Sequence, residues 1–150
     1  MATIQLPPDF REFVRLLNSE RVEYLVVGGH AVGFHGHPRA TADLDVWISV
    51  GVENARRMSE VLRRFGFADE LVNPSIFLEP DKIVRLGKPP LRIEILTGVS
   101  GVDFPSCYER RVTVNVDDIE ISLIGLDDLR ANKRATGRHE DHADLDELSD

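Results

Sequence analysis

Asp43-Leu44-Asp45-Val46 alternates acidic and apolar residues, and a period of two fits a strand with one polar face and one buried face. Side chains at i and i+2 project from the same face, with Cα atoms about 6.6 Å apart. Asp43 and Asp45 therefore stand side by side while Leu44 and Val46 point into a core. Two carboxylates held this way raise each other's pKa unless a cation sits between them. Any fold for this chain must satisfy both faces of that strand.

The rest of the 150 residues supplies the partners. Pro8 opens a helix predicted over residues 8–20, with Phe10, Phe13, Val14 and Leu17 on one face. Residues 23–27 read as a short apolar strand that stops at Gly28-Gly29, and a short helix is predicted over 30–34. The acidic strand is predicted over 43–50. Ala55, Met58, Val61, Leu62 and Phe65 then form the buried stripe of a helix that Gly66 ends. Residues 83–86 and 91–96 read as strands, 104–111 as a short helix, and 112–116 with 119–124 as a hairpin across Asp117-Asp118. Two closing helices are expected over 126–136 and 140–148. Helices alternate with strands, but the late hairpin calls for a mixed sheet. The expected fold is a single α/β (α+β) domain over residues 1–150, a mixed sheet flanked by helices.

Composition narrows the function classes. With 18 Lys+Arg against 26 Asp+Glu the net charge is -8, and residues 139–150 carry six of the acids, which leaves the body near neutral. Broad duplex DNA binding needs a basic footprint and is disfavoured. No run approaches the roughly 18 apolar residues of a membrane span. The single cysteine, Cys107, has no partner for an internal bridge, so a reducing cytoplasm is the expected compartment.

Gly28-Gly29 falls where a strand gives way to a helix. Glycines there allow close backbone approach, and a helix N-terminus offers free N–H groups to phosphate. The Asp-x-Asp strand follows about 15 residues later, a spacing that returns both features to one end of a sheet. Paired carboxylates of this kind suit Mg²⁺ or Mn²⁺ in phosphoryl and nucleotidyl displacement. His35 and His37 match no familiar zinc spacing.

The segment Tyr24 to Ile48, with Gly28-Gly29, a short helix, Arg39-x-Thr41 and Asp43-x-Asp45, resembles the active-site segment of the minimal nucleotidyltransferases. These belong to the DNA polymerase β-like superfamily, and the AbiEii-type toxins are the most similar branch. Arg92-Ile-Glu-Ile-Leu96 and the stretch from Leu126 to Leu148 extend the resemblance over most of the chain. It implies metal-ligating and catalytic roles for Asp43, Asp45 and Glu94, where the family often has Asp. It implies nucleotide contacts for Gly28, Gly29, His30 (commonly Ser in the superfamily), Arg39, Thr41 and Lys133. Lys133 lies among polar neighbours, so a surface position is expected. Arg138, Asp141 and Asp144 match polar positions of the closing helix pair, about 126–148. The implied activity is Mg²⁺-dependent transfer of an NMP from NTP to an RNA end or a protein hydroxyl, with an antitoxin as a further partner. Two alternatives stay open: a nucleotide-binding relic without turnover, and an interaction module whose acidic tail binds a basic partner.

Overall fold

A computed structural model describes residues 6–36, 43–67, 72–88 and 91–136. Their strands form one six-stranded mixed sheet in the order β3-β4-β2-β1-β6-β5. The strands are β1 (Tyr24–Val27), β2 (Asp43–Ile48), β3 (Ile83–Lys88), β4 (Leu91–Leu96), β5 (Val112–Val116) and β6 (Ile119–Leu123). β2 runs antiparallel to β1 and parallel to β4, β1 runs parallel to β6, and β3 and β5 pair antiparallel with their neighbours. The expected α/β architecture on a mixed sheet is what the chain adopts.

One face of the sheet carries α1 (Pro8–Ser19) and α3 (Val52–Phe65). Phe10, Phe13, Leu17, Met58 and Leu62 pack there against Leu44, Val46, Ile93 and Ile95. The alternation thus does what its period requires: the apolar halves of β2 and β4 are buried beneath the helices. Gly66 stops α3 in the left-handed conformation, at φ +103. Its N–H and that of Phe67 bond back to the last turn. The buried Asn54 donates to the carbonyls of Glu23 and Ser49 and accepts from the Glu23 N–H, which ties α3 to the strands. β2 stops at Ile48, two residues before its expected end.

The other face carries α2 (Gly28–Phe34), α4 (Phe104–Glu109) and α5 (Leu126–Thr136). They bury Trp47, Phe104, Cys107, Ile124 and Leu129 in a second, smaller core. α2 begins at Gly28, two residues earlier than the spacing predicts, so both glycines belong to its first turn. The hairpin turns at Asp117 and Asp118, both at positive φ, the twist that a two-residue link between antiparallel strands demands. A 3₁₀ turn, Pro74–Phe77, has no periodic signal in the sequence; it forms because Phe77 drops into the first core. The segment 140–148, where a second closing helix is expected with Asp141 and Asp144, lies outside the described residues, as do Arg138, Arg39, Thr41 and the rest of the acidic tail.

Candidate active site

On the face of α2, α4 and α5, strand register sets side by side the polar residues that the first core leaves out. Asp45 pairs in register with Glu94, Asp43 with Arg92, and Arg85 with Glu94, while Val27, the residue before Gly28, pairs with Asp45. Across the strands the order is Arg85, Glu94, Asp45 and then the end of β1 with its glycines. These residues line a cleft of about 700 Å³, together with Asp81, Ile83, Leu96, Gly98, Ser100, Asn132 and Lys133. The structure thus brings Asp43, Asp45, Glu94, Gly28, Gly29 and Lys133 to one place.

Gly28 holds φ +70, and a Cβ built there would lie 3.0 Å from Asp45 Cγ and closer still to the carboxylate oxygen. Only glycine fits the strand-to-helix turn at that position. The Asp45 carboxyl is pushed up to about 7, first by burial, then by the Glu94 charge and a hydrogen bond with that side chain, then by the Asp43 charge, with the Lys133 ammonium pulling the other way. Its Oδ1 is buried with no hydrogen-bond partner among the described residues. Such a group is costly unless something binds it.

The other two carboxylates face arginines. Arg92 Nη2 lies 3.1 Å from Asp43 Oδ2 and 3.7 Å from Glu94 Oε1, and Arg85 Nε lies 3.1 Å from the same Glu94 oxygen. Among the described residues no three His, Cys, Asp or Glu side chains converge as a ligand cage. The donor chemistry nevertheless fits a hard divalent cation: carboxylate oxygens on adjacent strands, one of them buried and unsatisfied.

α5 and the loop before α4 form the far wall. Asn132 Nδ2 donates to the Ser100 carbonyl at 2.9 Å. Gly101, at φ +83, lets the loop touch the helix, since a Cβ there would lie 2.6 Å from Ala135 Cβ. Arg110 grips Asp128 with two bonds, of 3.1 and 2.9 Å, joining α4 to α5. The wall carries Lys133, whose surface position the structure corrects: it is only 4% exposed. α5 turns this position into the cleft, toward the Asp45 carboxyl, although its sequence neighbours are polar.

His30, next to Gly29 in α2 and near enough to feel the Asp43 charge, does not line the cleft. Its ring packs edge-on against Phe10 with centroids 5.6 Å apart, and burial lowers its pKa. His35 Nε2 donates to the Ile124 carbonyl at 2.8 Å, a structural tie between α2 and the end of β6. Sequence reasoning missed Asp81, Arg85, Ser100 and Asn132. The Arg92-x-Glu94 alternation was the one available signal that a guanidinium shares the acidic face.

The family of proteins described as "Nucleotidyl transferase of unknown function (DUF2204)" matches residues 8–150. The chain belongs to this family. It is accordingly an enzyme of the nucleotidyltransferase class. Two solved structures are similar to the transferase in fold. One, from Thermotoga maritima, carries a provisional nucleotidyltransferase assignment; it is 17% identical, with TM-score 0.62 over 97% of this chain and 95% of that one. The other is an antigenic nucleotidyltransferase-like protein from Paracoccidioides brasiliensis, 17% identical, with TM-score 0.56 over 93% of this chain and 71% of that one. No curated protein matches the sequence significantly. Among the described residues of the transferase, no helix is long and apolar enough to cross a membrane.

Proposed function

We propose that this nucleotidyltransferase moves an NMP unit from a nucleoside triphosphate to an acceptor hydroxyl, with Mg²⁺ or Mn²⁺ held by Asp43, Asp45 and Glu94. One observation carries the reading: Asp45 is half-buried beside Glu94, against Gly28, with its Oδ1 buried and unsatisfied. Packing gains nothing from a carboxyl kept there, whereas strongly perturbed acids in clefts mark functional sites.

Held by these carboxylates, a divalent cation would supply charge neutralisation at the phosphates and would lower the pKa of the acceptor hydroxyl. The chain's own residues do the remaining work by positioning. Gly28 and Gly29 let the backbone approach the triphosphate, and Lys133 sets a charge against it. The acceptor oxygen attacks the α-phosphorus; the new P–O bond forms as the bond to the pyrophosphate oxygen breaks, and Glu94 takes the hydroxyl proton. Arg39 and Thr41 join this scheme through the family resemblance alone. The resemblance likewise extends it to the cytoplasmic toxin of a toxin–antitoxin pair, in which expression of the wild type, but not of Asp45→Asn, would arrest growth.

Calorimetry tests the site. Mg²⁺ should bind more tightly with NTP present, because phosphate oxygens complete the hard-ion shell, and Glu94→Gln should weaken it. No metal binding by the wild type, with or without NTP, would contradict the reading.

A further inference from the structure

Arg85 and Arg92 have no part in the scheme above, yet both line the cleft beside Glu94. We infer that this pair binds the terminal phosphodiester of a single-stranded polynucleotide, so that the acceptor is a nucleic-acid 3′ end and not a protein hydroxyl. The inference rests on the proposed nucleotidyl transfer.

Position comes first. The sheet order β3-β4-β2-β1 puts Arg85 and Arg92 on one flank of the acids, and Gly28-Gly29, at the end of β1, on the other. In phosphoryl-group displacement the entering and leaving oxygens lie roughly in line on opposite sides of the phosphorus. With the pyrophosphate on the glycine flank, the acceptor enters over β3 and β4, which is where the arginines stand.

The chemistry agrees. Each guanidinium already lies about one hydrogen bond from a carboxylate oxygen, 3.1 Å in both cases. A phosphodiester offers the same fork-matching pair of oxygens. Charge pairing alone does not account for Arg85, because the same Glu94 oxygen already has Arg92 Nη2 at 3.7 Å while the Arg85 side chain stays 59% exposed. A neutral protein hydroxyl would give two guanidinium groups nothing to hold.

Access is built in as well. Gly87 pairs in register with Arg92, so no side chain of β3 stands opposite Arg92 there. Two residues along β3 from Arg85, Ile83 is 48% exposed and faces Leu96 in register. Together they give the cleft an apolar floor on the same flank, suited to a sugar or base. The negative charge of the whole chain does not oppose this, because the interaction is local and the acids beside it are the ones a cation neutralises.

The test uses the full chain and a fluorescein-labelled single-stranded RNA of about 12 nucleotides, a length within the usual single-strand footprint. Binding is followed by anisotropy in Mg²⁺ against salt, for linear RNA and for the same RNA circularised. NTP affinity is measured on the same preparations. Linear RNA should bind better than the circle. Arg85→Gln and Arg92→Gln should each weaken it about 5-fold or more and flatten the log–log salt slope by about 0.7 for each phosphate that is no longer neutralised. Arg85→Lys, which keeps the charge but loses the fork, should fall between, with RNA affinity reduced by more than NTP affinity. Normal NTP binding alongside RNA binding that ignores both arginines or the free end would overturn the arginine assignment alone, as would label passing from NTP only to protein. Absence of NTP binding by the wild type would overturn the assignment together with the function beneath it.

Discussion

The Asp45 carboxylate lies directly against the backbone of Gly28. That contact joins the acidic strand to the turn that opens α2, so the acid and the proposed phosphate cradle are one rigid unit. Gly66 shares the positive φ but has open space around it, with nothing within 4 Å of the position a methyl group would take. Gly66→Ala should therefore cost backbone strain alone, roughly 1–2 kcal/mol. Gly28→Ala should cost that and about 1–2 kcal/mol more for displacing Asp45. Thermal melts of the two variants check this; equal losses would mean that Asp45 is not held where the structure puts it.

Asp45 also sets a pH dependence of stability. Its folded pKa, about 7, lies above the ordinary value for an unfolded chain, so ionisation weakens the metal-free fold. The penalty is absent below about pH 4, grows through the interval up to 7, and is complete above it. Asp45→Asn, nearly isosteric and uncharged, should match the wild type near pH 4 and exceed it at pH 8 by about 1–3 kcal/mol. Metal-free melts across pH decide the matter; a variant less stable than the wild type at pH 8 would contradict the buried-acid reading.

Lys133 faces the same carboxyl from α5 and pulls its pKa down. Lys133→Met should let that pKa rise further and shift the pH at which Mg²⁺ begins to bind upward, while nucleotide affinity drops. Because Lys133 is buried, the variant's stability should change too, by about 1 kcal/mol or more. A pH onset unmoved in calorimetry would separate Lys133 from Asp45.

Arg110 and Asp128 carry the wall that presents Lys133. Asp128 is 11% exposed at its side chain and Arg110 is 59%, so removing the arginine strands a mostly buried carboxylate. Arg110→Met should lower the denaturant midpoint, by less than the loss of a fully buried pair would because solvent reaches the arginine. Adding Asp128→Asn should recover part of it, since no charge is then left unpaired. A double-mutant cycle on denaturant midpoints measures the coupling.

The sheet was legible because period two is a local signal: Leu44 and Val46, then Ile93 and Ile95, declare a buried face without reference to anything else in the chain. Gly66 and Asp117-Asp118 announce a helix end and a turn in the same local way. The acids of the site were legible for that reason too. Lys133 was not, because its burial comes from the packing of α5 beside the cleft that holds Asp45, a contact distant in sequence. The placement of His30 depends on Phe10, far back in the chain on α1, and that of Phe77 on α3. The engagement of Arg85 with Glu94 depends on the pairing of β3 with β4, which charge pattern alone does not specify.

The direct measurement of nucleotidyl transfer is label movement from the four NTPs, each labelled at the α-phosphate or at the γ-phosphate, into a mixed RNA and protein pool with Mg²⁺. The expected result is transfer of the α label and not the γ label by the wild type. Asp45→Asn should lower it by about 100-fold or more, since ions at such sites supply several kcal/mol of transition-state stabilisation. Equal transfer by the wild type and Asp45→Asn, or none by the wild type with any NTP that it binds, would contradict the assignment and leave a nucleotide-binding relic.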